Sequence, residues 1–245
     1  MKPSSGTAAT QHEWEDLAEL DPLWAILTEK ERQFGSWDVN EFFDSGRREV
    51  DSVLQDCGFT PGAEGKALDF GCGVGRLSRA LRSYFAEVYG VDISERMIKL
   101  AREYTPSCHF VLNQSENLSL FQDNFFDFIY SNIVLQHQST KDIAGAYIKE
   151  FVRVIKPKGM IVFQMPHKLT WRQTLQPRRR LYSLLRALGL SSQYLYNELH
   201  LNPMRTICLS SKAVEETISK AGGHLLRTYS NSFNVHSTTY VATKN

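Results

Sequence analysis

The chain has 245 residues, 42% of them hydrophobic and 22% charged, enough to bury one sizeable core or a core with an appended subdomain. Its 28 basic residues nearly balance its 27 acidic ones, so no global field marks it for nucleic acid or a membrane surface. The cysteines at 57, 72, 108 and 208 are too few and too scattered for a disulfide scaffold or a C-x-x-C redox or zinc pattern. The amino terminus lacks an apolar signal core, and no run approaches the ~18 apolar residues of a span. The expectation is a cytoplasmic protein without stable membrane insertion.

In chain order, residues 1–10 are small and polar and read as a disordered leader. Residues 11–60 read as a helical, aromatic region, with Trp14, Trp24, Trp37, Phe42 and Phe43 at helical spacing. At that spacing such residues are core, or the walls of a substrate lid. Gly58, Pro61, Gly62 and Gly65 form a turn, and residues 61–245 form the main domain. There strands and helices alternate: strand Lys66 to Phe70, helix Arg76 to Phe85, strand Glu87 to Val91, helix Glu95 to Tyr104, strand His109 to Asn113. Strand Phe126 to Ser131, helix Ile143 to Ile155, a Lys156 to Gly159 turn and strand Met160 to Gln164 continue the series, which predicts parallel pairing. Residues 167–205 interrupt it as a helical insertion. A helix from Ser211 to Ala221, stopped by Gly222 and Gly223, and two strands near 225–230 and 238–243 close an antiparallel edge.

The first strand runs straight into Asp69-Phe70-Gly71-Cys72-Gly73-Val74-Gly75. Alternate glycines let the backbone turn sharply and let a ligand approach, and the helix that follows offers unpaired N–H groups. A dinucleotide fingerprint would need its third glycine at position 76, which is Arg76. Asp69 suits the ammonium of a bound methionyl group, which it attracts, better than a pyrophosphate, which it repels; a strand-end turn cap is the plainer reading. Asp92 ends the second strand about 20 residues past Gly71, where a carboxylate can accept hydrogen bonds from ribose hydroxyls.

Through 67–77 and 88–94, and further through 126–132 and 151–159, the chain resembles the class I S-adenosylmethionine (SAM) dependent methyltransferases. The resemblance covers about residues 60 to 165. It implies a Rossmann-like, doubly wound, mostly parallel seven-stranded α/β sheet, with SAM as cofactor; the paired acidic residues that hold magnesium in catechol-type enzymes are not seen after the fourth strand, so no metal is expected. The implied cofactor site is Asp69, Gly71, Cys72 (through its backbone), Gly73, Gly75, Asp92, Ile93, Met97, Gln114 and Ser131. Met97 on spacing alone is equally a helix core residue. Gln114 stands where many relatives have aspartate, and its carbonyl can accept the same hydrogen bond.

Methyl transfer needs an acceptor held about 3 Å from the methyl group in a desolvated pocket, and a hydroxyl or ammonium acceptor also needs a base. His137, beyond the fourth strand, is the first base candidate and His167, after the fifth, the second; a helix-cap or packing histidine is the alternative for His137. The strand-four exit lacks the Asn-Pro-Pro-Tyr type sequence of enzymes acting on nucleic-acid bases, so no nucleic acid is expected. The acceptor is expected to be a small molecule, sugar-containing or a secondary metabolite, methylated on O, N or C. A non-catalytic SAM-binding or scaffold protein of the same fold is the alternative. Specificity is assigned to 11–60 and to the substrate-lid insertion 167–205. The latter gathers Lys168, Arg172, Arg178, Arg179, Arg180, Arg186 and Arg205 beside a leucine stripe. That segment suits an anionic acceptor, a membrane surface, or packing on the sheet or on a second subunit in a homodimer.

Overall fold

A computed structural model describes residues 5–231 and 234–245. Seven strands form one sheet: β1 (Lys66–Phe70), β2 (Glu87–Asp92), β3 (His109–Leu112), β4 (Phe126–Ser131), β5 (Ile155–Pro166), β6 (Gly223–Asn231) and β7 (Asn234–Lys244), in the order β3-β2-β1-β4-β5-β7-β6. The first five run parallel, and β7 is antiparallel to both β5 and β6. The sheet is thus the doubly wound, mostly parallel one expected. Order reverses between β1 and β4, which opens a crevice beyond their carboxyl ends.

Because side chains alternate along a strand, each face has its own core. Leu68, Phe70, Ile129 and Phe163 pack under α6 (Lys141–Val154) and α10 (Ser211–Lys220). Ala67, Val88, Phe128 and Val162 pack under α3 (Val39–Cys57), α4 (Arg76–Leu81) and α5 (Glu95–Tyr104). The Lys156 to Gly159 segment, expected as a free turn, lies inside β5. Ile155 already pairs with Phe126, and the register shift before Phe128 absorbs the extra residues, with Lys158 at φ 65°.

The leader expected at 1–10 is corrected in part: residues 5–10 open α1 (Ser5–Leu20), and residues 1–4 lie outside the described residues. Thr7 is buried and donates to Glu116 Oε1 at 2.6 Å, which anchors that helix. The chain breaks at Asp21, the N-cap of α2 (Pro22–Ile26). Its carboxylate also accepts from the Gly35 N–H and the Tyr196 hydroxyl, each at 2.9 Å. Residues 11–60 therefore divide by role. α1 and α2 form an aromatic cap with Trp24, Trp37, Phe42 and Tyr196 over the glycine loop, whereas α3 belongs to a helical layer of the sheet. The insertion forms α7 (Trp171–Leu175), α8 (Pro177–Ala187) and α9 (Ser192–Asn197).

α3 and α4 touch at Gly46, where an added Cβ would stand 2.6 Å from the Arg76 carbonyl oxygen. Helix propensity alone favours alanine there by ~1 kcal/mol, but a backbone oxygen cannot move aside cheaply. Gly46→Ala is expected to destabilise the protein by about 1–3 kcal/mol, read from the denaturation midpoint; a stabilised variant would contradict this packing.

Candidate functional site

The β1–α4 loop is held by the neighbouring strand. The N–H groups of Gly71 and Cys72 both donate to the Val91 carbonyl, at 2.8 and 3.0 Å, and the Gly73 N–H donates to Asp92 Oδ2 at 2.9 Å. Gly71 and Gly73 have φ of 76° and 52°, a region costly for other residues. Space is also closed to a side chain: a Cβ on Gly71 would meet Val134 Cγ2 at 2.3 Å, and one on Gly73 would meet Ile26 Cδ1 at 2.4 Å. Gly75, φ 86°, begins α4, and its missing side chain makes room for Phe110.

A cleft of about 790 Å³, counting its open mouth, lies over this loop, within the size range of small-molecule sites. Gly71, Gly73, Asp92, Ile93 and Met97 line one side, and Asn132, Ile133, Val134 and His137 line the other. Thr10, Trp14 and Ile26 close it from the amino-terminal cap. Asp92 is fixed by two backbone donors, Gly73 and Ser94, the latter at 3.0 Å to Oδ1. Burial raises its carboxyl above the ordinary value, against the pull of those N–H groups. Each oxygen keeps a second lone pair for an incoming hydroxyl.

Not every expected cofactor residue reaches the cleft. Asp69 is buried beneath the loop, where Oδ2 accepts from Ser78 Oγ at 2.6 Å and Oδ1 has no partner among the described residues. It therefore ties β1 to the Ser78 side chain of α4 rather than lining the cleft. Cys72 turns its side chain into the sheet core, and the buried Ser131 hydroxyl does not line the cleft. Gln114 is replaced there by Asn113, whose N–H extends the β2–β3 pairing to the Asp92 carbonyl at 2.8 Å.

His137 is buried in the cleft wall, edge-on to Trp14 with ring centroids 5.5 Å apart. Its Nδ1 meets the Arg205 carbonyl, and its Nε2 lies 3.1 Å from Gln136 Nε2. A carbonyl only accepts, so the proton sits on Nδ1 and the lone pair on Nε2. Desolvation lowers its pKa below the ordinary 6.5, partly offset by Arg205. His167 is elsewhere: its Nδ1 is 2.9 Å from Thr238 Oγ1 on β7, and it does not line the cleft.

Sequence reasoning missed a partly buried network behind Asn132. Glu49 on α3 accepts from Asn132 Nδ2 at 2.7 Å and from the Tyr130 hydroxyl at 2.8 Å, and pairs with Arg76 at 2.6 Å. It also missed Ile133, a β-branched residue held at φ 61° in the cleft wall. Such a backbone costs on the order of 1–3 kcal/mol. It lets the chain reverse so that Asn132 and Val134 both face the cleft.

Residues 68–163 match the family model of a methyltransferase domain. The chain is 38% identical over 116 residues to a demethylmenaquinone methyltransferase of Staphylococcus aureus, covering 45% of this chain and 46% of that one. It is 30% identical over 162 residues to a malonyl-[acyl-carrier protein] O-methyltransferase of Yersinia pestis, covering 64% and 57%. It spans about half the length of these relatives. Among solved structures, magnesium protoporphyrin IX methyltransferase of Synechocystis with bound S-adenosylhomocysteine superposes with a TM-score of 0.63 at 20% identity, covering 98% of this chain and all of that one. Residues 68–163 thus match a methyltransferase domain, and the whole chain has the Rossmann-like fold of methyltransferase structures solved with SAM or S-adenosylhomocysteine bound.

The buried Asp69 gives a pH test. Burial pushes its carboxyl up to about 7, opposed by the Ser78 hydrogen bond and the Arg76 charge. In the unfolded chain it loses its proton near 4, so the folded form binds more protons between about 4 and 7 and stability falls as pH rises through that window. Asp69→Asn is expected to flatten this limb of the ligand-free protein's pH–stability profile, worth on the order of 4 kcal/mol. An unchanged profile would refute the desolvated carboxyl.

Proposed function

We propose that the chain transfers the methyl group of SAM to a small-molecule acceptor held beside His137. The observation carrying this reading is that one cleft has a cofactor wall, Gly71, Gly73 and Asp92, and a facing wall with a neutral imidazole. The residues fit the cofactor. The glycine cradle leaves no room for a Cβ, and Asp92 presents fixed acceptor oxygens suited to ribose hydroxyls. When bound, SAM supplies a sulfonium methyl group that a nucleophile takes by in-line displacement.

The protein's part is placement and proton handling. Trp14, Ile26, Ile133 and Val134 make the walls largely apolar, while Thr10, Asn132 and Gln138 offer polar contacts. Such a cleft suits an acceptor with an apolar ring or chain bearing a hydroxyl; the apolar ring and chain of demethylmenaquinone, in the name of one similar protein, are compatible with those walls. The Arg205 carbonyl holds the Nδ1 proton, so Nε2 can take the acceptor's proton once the acceptor displaces the Gln136 amide.

His137→Ala is expected to slow methylation by about a hundredfold or more while leaving SAM affinity unchanged. Because the imidazole's pKa is depressed, the wild-type rate should be level at neutral pH and fall only on acidification below the ordinary histidine range. Turnover unaffected by the substitution would assign His137 to packing against Trp14 and remove the base from the reading.

A further inference from the structure

The insertion has an inner and an outer face. Inward, Arg179 pairs with Glu13 on α1, Arg186 lies 3.8 Å from Asp16, and the Tyr182 hydroxyl donates to Asp16 at 3.2 Å. Outward, Leu181, Leu184 and Leu188 are 45%, 58% and 69% exposed. At the turn angle of an α-helix these three fall within one stripe about 60° wide, with Arg178 along one side and Arg180 along the other. α7 adds Trp171, 67% exposed, and Leu175 one turn on, and the Arg172 guanidinium lies 5.2 Å from the Trp171 ring centroid.

We propose that this outer face of α7 and α8 docks on the surface of an anionic lipid bilayer. Trp171 and the three leucines enter the headgroup boundary, and Arg172, Arg178 and Arg180 meet lipid phosphates. The charge argues for this occupant. Residues 167–205 hold seven lysines and arginines against one acid, Glu198. Lys168, Arg172, Arg178 and Arg180 are exposed and form no ion pair among the described residues, Arg178 meeting only the His200 carbonyl. A second copy of the chain would bring the same cations together across a two-fold interface. Among the described residues no helix is long and apolar enough to cross a membrane, and α8, about 16 Å long, lies along a surface. Docking does not depend on the methyl-transfer reading.

Vesicle flotation tests this with phosphatidylcholine alone and with phosphatidylcholine containing phosphatidylglycerol. The intact protein should float with the anionic vesicles, stay behind with the neutral ones and be released by salt, and its tryptophan emission should shift blue unless Trp171 is replaced by Phe. Arg172→Gln with Arg180→Gln should reduce binding roughly thirtyfold, and Leu184→Ser with Leu188→Ser should reduce it severalfold. Both pairs alter exposed side chains, and circular dichroism checks their folding. Absence of flotation with anionic vesicles, or flotation that neither folded variant weakens, would overturn the proposal. So would a dimer in sedimentation that Leu184→Ser with Leu188→Ser dissolves, if vesicle binding is absent.

Discussion

The site depends on one clamp between adjacent parallel strands. β1 and β2 pair in the register Asp69 with Gly90, so the loop leaving β1 passes over the end of β2. There the Val91 carbonyl and the Asp92 carboxylate take three of its N–H groups. The same contacts fix the loop's shape and aim the carboxylate, so the cradle and its acceptor oxygens are made together. The desolvation of Asp92 is offset by the N–H groups of Gly73 and Ser94 that point at it.

Closure of the cleft comes from segments distant in sequence. α1 spans the opening: Glu15 accepts from the first N–H of α5 at 2.5 Å, Trp14 and Thr10 face the cleft, and Glu13 meets Arg179 and Arg205 of the insertion. Arg205 also presents its carbonyl to His137 and donates to the Ser139 carbonyl at 2.8 Å. Amino-terminal cap, insertion and strand-four exit are thereby joined by hydrogen bonds and ion pairs that run from α8 to the imidazole.

The sheet was legible because its signals are local: period-two apolar strands, glycines at alternate positions, and an acid ending β2 at the right distance. Gly71, Gly73, Asp92, Ile93, Met97 and His137 all line the cleft; spacing singled out the glycines and Asp92, the family resemblance Ile93 and Met97, and the end of the fourth strand His137. Asp69 lies away from the cleft because a carboxylate before a glycine loop can face a ligand or hydrogen-bond the next helix, and here Ser78, nine positions on, takes it. Asn113 takes the place implied for Gln114 because β3 ends at Leu112, so the residue directly after the strand, held to Asp92 through its N–H, is the one that lines the cleft. Glu49 and Asp21 were illegible for another reason: their partners, Asn132 and Tyr196, lie 83 and 175 residues away. His167 follows a strand whose carboxyl end turns toward β7 rather than the cleft, which spacing from β5 does not reveal.

The most direct test is calorimetric titration of the purified protein with SAM, with NAD as control, repeated on Asp92→Asn. That substitution keeps the size of the side chain but replaces one of its two acceptor oxygens with an amide that cannot accept from Gly73 or Ser94. The account predicts that SAM binds and NAD does not, and that the variant loses about 1–3 kcal/mol of SAM affinity. Binding of NAD instead, or SAM affinity untouched by the substitution, would contradict it.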